Sequence, residues 1–314
     1  MTDRSSTIIA ATGLSKRFAG VAAIKQLSFA CARGEIFGFV GPDGAGKTTV
    51  MRLLAGVMAP DDGSIAIDGV DVVKNPELAK SHISYMPQRF GLYEDLTVDE
   101  NIAFFADLFE IDRKSRDERA VRLLAASGMT PFRKRLAGQL SGGMKQKLGL
   151  TCSLIHTPKV LLLDEPTAGV DPVSRRDFWR ILYGLRAEGV TIVISTSYLD
   201  EAERCTRLGL LQDGRMPYCD TPANLKKLMP GELVSIASRE GRAARDATTR
   251  LEGVAGVLLV GDGIHVVVDD AQRRIPELRQ ALAAAGVPFE QIEELAPSIE
   301  DIFVSLLARP ADAA

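Results

Sequence analysis

The segment Gly41-Pro-Asp-Gly-Ala-Gly-Lys47-Thr48 restricts this chain more than any other. It has the form G-x-x-x-x-G-K-[ST] and follows an apolar run, Ile36–Val40, that reads as a strand. A helix is expected directly after it. The glycines let backbone amides turn inward around phosphate oxygens, and the helix N-terminus adds a favourable dipole. Lys47 is placed to reach β- and γ-phosphates, and the Thr48 hydroxyl to ligate Mg²⁺. Gly41, Asp43, Gly44, Ala45, Gly46, Lys47, Thr48 and Thr49 are therefore the candidate nucleotide-binding residues. Asp43 brings a carboxylate close to anionic phosphates, so its side chain is expected to turn outward.

A second motif points the same way. Val160-Leu-Leu-Leu-Asp164-Glu165-Pro166 is a continuously apolar strand ending in two carboxylates. A buried strand delivers its last residues to the sheet's C-terminal edge, where open α/β sheets bind ligands. Asp164 would hold Mg²⁺, and Glu165 would orient and deprotonate an attacking water. Taken alone, the pair reads equally as a helix cap or a surface acid pair. The phosphate loop tips the balance.

Short β-branched runs alternate with helical patterns, the mark of a layered α/β fold. Ile8–Ala11, Leu27–Ala30, Ser64–Ile67, Ile83–Met86 and Thr191–Ser195 read as further strands. From about 90 to 157 the pattern turns helical: Thr97 and Glu100 form a capping-box start, and Arg113–Ser127 and Ser141–His156 have helical spacing. After Gly214 the character changes again. Leu233–Ala237, Val254–Val260 and Ile264–Val268 read as strands, Arg245–Leu251 and Pro276–Ala285 as helices, with Pro276 in a first turn. A last helix is expected from Ser298, where Ser298-Ile-Glu-Asp301 resembles a capping box, and Ala311–Ala314 is expected to fray.

The bulk numbers narrow the class. With 314 residues, 46% of them hydrophobic, the chain can bury one large domain or a large and a small one. A formal charge of −3 and scattered basic residues argue against nucleic acid as a partner. Four cysteines without C-x-x-C spacing argue against a metal or disulfide framework. Met1–Ser6 is polar, unlike a signal peptide, and no run approaches the ~18–20 apolar residues that span a bilayer. A cytoplasmic chain is expected, reaching a membrane only through a partner.

Phosphate loops occur in many enzymes, but Leu140-Ser141-Gly142-Gly143-Met144-Lys145-Gln146 resembles the signature that defines ABC ATPases. Other elements of that family follow in order: Phe18 at the position that stacks on adenine, Gln88 after Tyr85-Met-Pro, and Ala168-Gly169-Val170-Asp171, which resembles the loop that meets a partner subunit. The resemblance covers about residues 8–228. It implies a P-loop NTPase core (residues 1–230), a helical signature subdomain (about 90–157) and a small C-terminal α/β domain (231–314). It also implies ATP and Mg²⁺ as cofactors, with Gln88 sensing the metal and γ-phosphate. A serine–glycine helix tip, Ser141, Gly142 and Gly143, would close on ATP held by an opposing subunit. Polytopic permeases would be the membrane partners, bound at the cytoplasmic face of the inner or plasma membrane. Phe90-Gly-Leu-Tyr-Glu is apolar enough to receive a permease helix. Pro297–Phe303 resembles the tail of ATPases that drive multidrug-type exporters. Gly41–Gly46, Phe90–Thr97 and Ser195–Glu203 resemble the N-terminal half of fused double-ATPase exporter subunits.

One departure stands out. The family places a histidine after the strand corresponding to Thr191–Ser195, where this chain has Ser197. His82, His156 and His265 belong to other elements. A serine donates one hydrogen bond but is shorter and uncharged, so slower hydrolysis is expected. The second ATPase subunit is then either a distinct chain that carries the histidine or a copy of this one. The competing readings are a soluble, non-transport ABC ATPase and a regulatory nucleotide-binding module. The intact Lys47, Thr48, Asp164 and Glu165 count against the latter.

Overall fold

The computed structural model describes residues 6–89 and 91–307. Residues 1–5, Phe90 and residues 308–314 lie outside them, and so do the readings of the polar start, of the Phe90 surface and of a frayed Ala311–Ala314 end. The chain divides into two compact units, residues 1–198 with 205–219, and residues 199–204 with 220–314.

In the first unit, β1 (Thr7–Phe18) and β2 (Val21–Ala32) form a hairpin much longer than the short runs read from sequence. The polar Ser15-Lys-Arg stretch hid the extension. The turn is closed by Ala19 and Gly20, both at positive φ, which suits the twist of a two-residue hairpin. After β3 (Ile36–Val40) and α1 (Lys47–Leu54), β4 (Asp62–Ile67) and β5 (Val70–Asp71) complete a four-stranded sheet in the order β2-β1-β4-β5. Then come α2 (Pro76–His82) and β6 (Ile83–Met86).

Three longer helices follow: α3 (Val98–Leu108), α4 (Arg113–Ser127) and α5 (Gly142–Leu154). Each begins at a capping side chain. The Thr97 hydroxyl accepts from the Glu100 amide while the Glu100 carboxylate accepts from Thr97; Asp112 caps α4 and Ser141 caps α5. β7 (Val160–Asp164), α6 (Pro172–Ala187), β8 (Thr191–Thr196), β9 (Arg207–Gln212) and β10 (Arg215–Asp220) complete a six-stranded sheet in the order β10-β9-β3-β8-β7-β6. Strands β3, β6, β7, β8 and β9 run parallel. Every residue of β3, β7 and β8 is buried, which is why they are apolar without alternation. Between the two sheets, Phe29, Phe37 and Phe39 pack with ring centroids 5.0–5.3 Å apart, next to Leu53 and Ile65.

The second unit contains α7 (Leu199–Ala202), α8 (Pro222–Lys226), β11 (Glu232–Ala237), α9 (Gly241–Thr248), β12 (Val254–Val260), β13 (Gly263–Val268), α10 (Ala271–Ala284), β14 (Gln291–Leu295) and α11 (Ile299–Leu307). Its sheet has the order β12-β13-β11-β14, with every neighbouring pair antiparallel. Two readings need correction. Pro276 sits inside α10, because Asp270 caps that helix from five residues further upstream than read. α9 ends at Thr248, earlier than the Arg245–Leu251 reading required. The reciprocal Ser298–Asp301 cap at the start of α11 is present. Among the described residues no helix is long and apolar enough to cross a membrane.

Candidate functional site

The carboxyl ends of the parallel strands and the phosphate loop converge on one place in the first unit. β3 runs directly into the loop, and Gly46 is at φ 106°, where a Cβ would come 2.7 Å from Ile24 Cδ1 and 2.8 Å from the Ala23 carbonyl. Only glycine suits that position. α1 then starts at Lys47, so its first amides face the loop.

Lys47 is 4% exposed, and its ammonium is the hub of the site. It donates to the Gly41 carbonyl at 2.8 Å, the Pro42 carbonyl at 3.1 Å and Ser197 Oγ at 2.9 Å, and pairs with Glu165 Oε1 at 3.0 Å. The Ser197 hydroxyl donates to the same Glu165 oxygen at 3.0 Å, and Gln88 Nε2 donates to Glu165 Oε2 at 3.4 Å. Thr48 Oγ1 donates to Asp164 Oδ1 at 3.2 Å. Six residues chosen from sequence thus converge in one network: Lys47, Gln88, Glu165 and Ser197 in one set of contacts and Thr48 with Asp164 in another, the two bridged by the Ser195 hydroxyl. Asp43 points outward, with a side chain 97% exposed, though its Oδ1 lies 3.4 Å from Ser197 Oγ.

A cleft of about 380 Å³ opens on this network, lined by Asp43, Gly44, Gly46, Lys47, Thr48, Thr49, Gln88 and Glu165, together with Ala23. Gly41 and Ala45 support the loop from beneath: a Cβ at Gly41 would come 2.4 Å from the Leu211 carbonyl, and Ala45 is buried. Phe18, at the end of β1, does not line the cleft. It is 46% exposed, so core packing does not explain it.

Ser141, Gly142 and Gly143 also lie away from the cleft, at the tip of α5. There the Ser141 hydroxyl accepts from the Met144 amide at 3.3 Å. Ser141 and Gly142 are exposed, while Gly143 packs so closely on Ser174 that a Cβ would come within 2.6 Å of it. Asp171 caps α6, accepting from the amides of Val173 and Ser174.

Sequence reasoning missed three features. Ser195 is fully buried; its hydroxyl donates to Asp164 Oδ1 at 2.6 Å and accepts from the Glu165 amide at 3.0 Å. A serine directly after the apolar run Ile192–Ile194, paired in register with Asp164, was the available signal. Tyr85 donates to Asp164 Oδ2 at 3.3 Å; burial and the Asp164 charge push its hydroxyl up to about 12, so it stays a donor. Glu165 itself has φ 46°, a left-handed backbone that is costly for a residue with a side chain and gathers at functional sites.

The donor set suits a hard cation at one point only. A hydroxyl (Thr48) and a carboxylate (Asp164) already adjoin each other, both oxygen ligands. Among the described residues no group of three or more His, Cys, Asp or Glu side chains could hold a metal, so a cation here would draw its other ligands from a bound phosphate and water.

Residues 24–168 match the ABC transporter family. The chain is 43% identical over 307 residues to the probable multidrug ABC transporter ATP-binding protein YbhF of Escherichia coli K12, covering 96% of this chain but 52% of that protein. It therefore spans about half the length of that relative. It is 33% identical over 309 residues to the daunorubicin resistance ATP-binding protein DrrA2 of Streptomyces coeruleorubidus, covering 95% of this chain and 94% of the relative. Among solved structures, an ATP-binding subunit of an ABC transporter superposes with a TM-score of 0.64 at 28% identity, covering 70% of this chain and 92% of that one.

Proposed function

This chain belongs to the ABC transporter ATP-binding family, and we propose that it is the ATP-hydrolysing motor of an exporter of drugs or other small molecules, paired with a second ATPase subunit and docked on polytopic permeases at the cytoplasmic face of the membrane. The observation that carries this reading is the convergence of Lys47, Thr48, Gln88, Asp164, Glu165 and Ser197 beside the phosphate loop. Residues 1–230 would form the motor domain and 231–314 an accessory domain.

The phosphate-loop amides and Lys47 would grip the β- and γ-phosphates, with Phe18 against the adenine. Lys47 would then leave Glu165 for the phosphate, freeing that carboxylate to take a proton from the attacking water. Thr48 and Asp164 would hold Mg²⁺, with Gln88 nearby. The ion would neutralise charge building up on the phosphate oxygens. Ser195 and Tyr85 would keep Asp164 aimed through their hydrogen bonds. The exposed Ser141–Gly142 tip would complete the site of the partner ATPase.

The aromatic surface of the helical segment supports a permease contact. Tyr93 and Phe104 are exposed, with rings 4.5 Å apart, and Leu108 and Phe109 are exposed beyond them.

Ser197 touches both Lys47 and Glu165, yet it is uncharged and short. We expect weaker positioning of the water here than a histidine would give, by about 1–3 kcal/mol, or about ten- to a hundredfold in rate. In a heterodimer this would be the slow site. Ser197→His in the assembled complex tests the point; an unchanged ATPase rate removes the slow-site idea. The whole reading is tested by nucleotide retention with magnesium and by pairing on ATP loading. A chain that does neither is not such a motor.

A further inference from the structure

The sheet of the second unit buries one face under α9 and α10, through Val234, Ile236, Ile264, Val266 and Leu278. Side chains alternate along a strand, so Leu233, His265 and Val267 point from the other face. A cavity of about 230 Å³ opens there. Leu233, Leu258, Val267 and Val304 supply apolar wall, and His265 and Asp301 supply its charged part.

The polar groups of this wall are almost all committed. Asp301 Oδ1 accepts from His265 Nδ1 at 2.7 Å, and Oδ2 accepts from the Ser298 amide at 2.9 Å and the Ser298 hydroxyl at 2.6 Å. The Ser305 hydroxyl donates back into its own helix, to the Asp301 carbonyl at 2.6 Å. That leaves the imidazole's other nitrogen. His265 Nε2 has no hydrogen-bond partner among the described residues, and the side chain is 17% exposed. The Asp301 hydrogen bond holds the ring's proton on to higher pH than usual, against a smaller opposing effect of burial, and the Asp262 and Glu300 charges reinforce it. With Nδ1–H given to Asp301, a charged ring presents Nε2–H as a single free donor beside apolar walls.

We propose that this cavity binds a small amphiphile, a short- to medium-chain carboxylate, with its apolar chain against Leu233, Leu258, Val267 and Val304 and its carboxylate on His265 Nε2–H. Small-molecule sites combine mostly apolar lining with a few convergent polar groups, and this volume falls below the ~300–1,000 Å³ that drug-sized ligands fill. A cationic amphiphile is disfavoured, because its charge would face the imidazolium N–H while Asp301 is already paired with His265 and bonded by Ser298. The site uses no residue of the nucleotide cleft, so its fate is independent of the transport reading.

The test is an octanoate titration of the full chain, below the micellar range, followed by NMR of the histidine ring signals. The chain has three histidines, and His265→Gln assigns the relevant one. Octanoate should shift the His265 signals saturably and leave those of His82 and His156 in place, while octylamine at the same concentrations should not. Affinity should fall about tenfold in His265→Gln, the loss expected for one charge-assisted hydrogen bond, and binding should disappear in Leu258→Trp, which fills the cavity. Unmoved His265 signals, equal effects of octylamine, or undiminished octanoate binding in His265→Gln would each overturn the proposal. If His265→Gln misfolds, His82→Gln and His156→Gln assign the His265 signals by elimination, so the octanoate–octylamine comparison on the unaltered chain stays decisive.

Discussion

The two units of this chain are both α/β, yet they use charge in opposite ways. In the first, parallel strands end side by side, and their terminal polar residues come from segments distant in sequence: Lys47, Gln88, Asp164 and Ser197. In the second, most polar contacts are local. Arg274 bonds Asp269 and Glu277, a few residues away along the chain, and caps come from Asp270 and Ser298. The longer-range exceptions include the His265–Asp301 pair, the Ser238 hydroxyl on the Pro288 carbonyl and the Ala271 amide on Glu232. A parallel sheet gathers chemistry at one edge because every strand delivers its C-terminus there. An antiparallel sheet alternates strand ends, so no edge collects them.

The largest effect that could break this contrast is at Glu165. Glu165→Gln should keep nucleotide binding and lower ATP turnover by about 10²–10⁴-fold, the usual reach of a positioned base. Steady-state hydrolysis set beside nucleotide binding checks this, and near-normal turnover would show that the network has another base.

Next come paired core truncations. Leu162 and Leu278 are both fully buried, one in the parallel sheet and one under the antiparallel sheet. Each change to Ala should cost about 2–5 kcal/mol of stability in chemical denaturation. Only Leu162→Ala, in the strand that carries Asp164, should also depress ATP turnover. Equal losses of turnover would mean that the tail acts on the nucleotide site.

A smaller effect is expected at Ser195. Ser195→Ala removes the 2.6 Å hydrogen bond to Asp164 and one of two acceptors for the Glu165 amide, the Ser195 carbonyl remaining, so it should cost about 1.5–3 kcal/mol in stability. Magnesium-dependent turnover should fall with it, while the tail's unfolding stays unchanged.

The smallest is a pH effect confined to the tail. His265 has its proton held to higher pH by Asp301, so its contribution is full below ~6.5 and is lost as pH rises through the raised value. Asp301 has the opposite sign: burial pushes it up, but hydrogen bonds from His265 and Ser298 pull it below the usual range, so its contribution holds above ~4 and fades in acid. Hydrogen exchange across β13 and α11 should therefore quicken from pH 6 to pH 9 beyond the intrinsic rate change, and His265→Gln should flatten that profile.

Much of the first unit was legible in its residues because its motifs are local. A glycine turn, a strand ending in two acids and a serine–glycine helix tip each carry their geometry within a few positions, through backbone conformation and capping. What only the tertiary structure decided was which side chains meet across long intervals. Ser195 and Tyr85 hold Asp164, Lys47 bonds Ser197, and the tail's His265 finds Asp301. These contacts depend on the register of neighbouring strands and the seating of a helix on a sheet, which are set by how the apolar faces pack together and leave no mark on the spacing of residues along the chain.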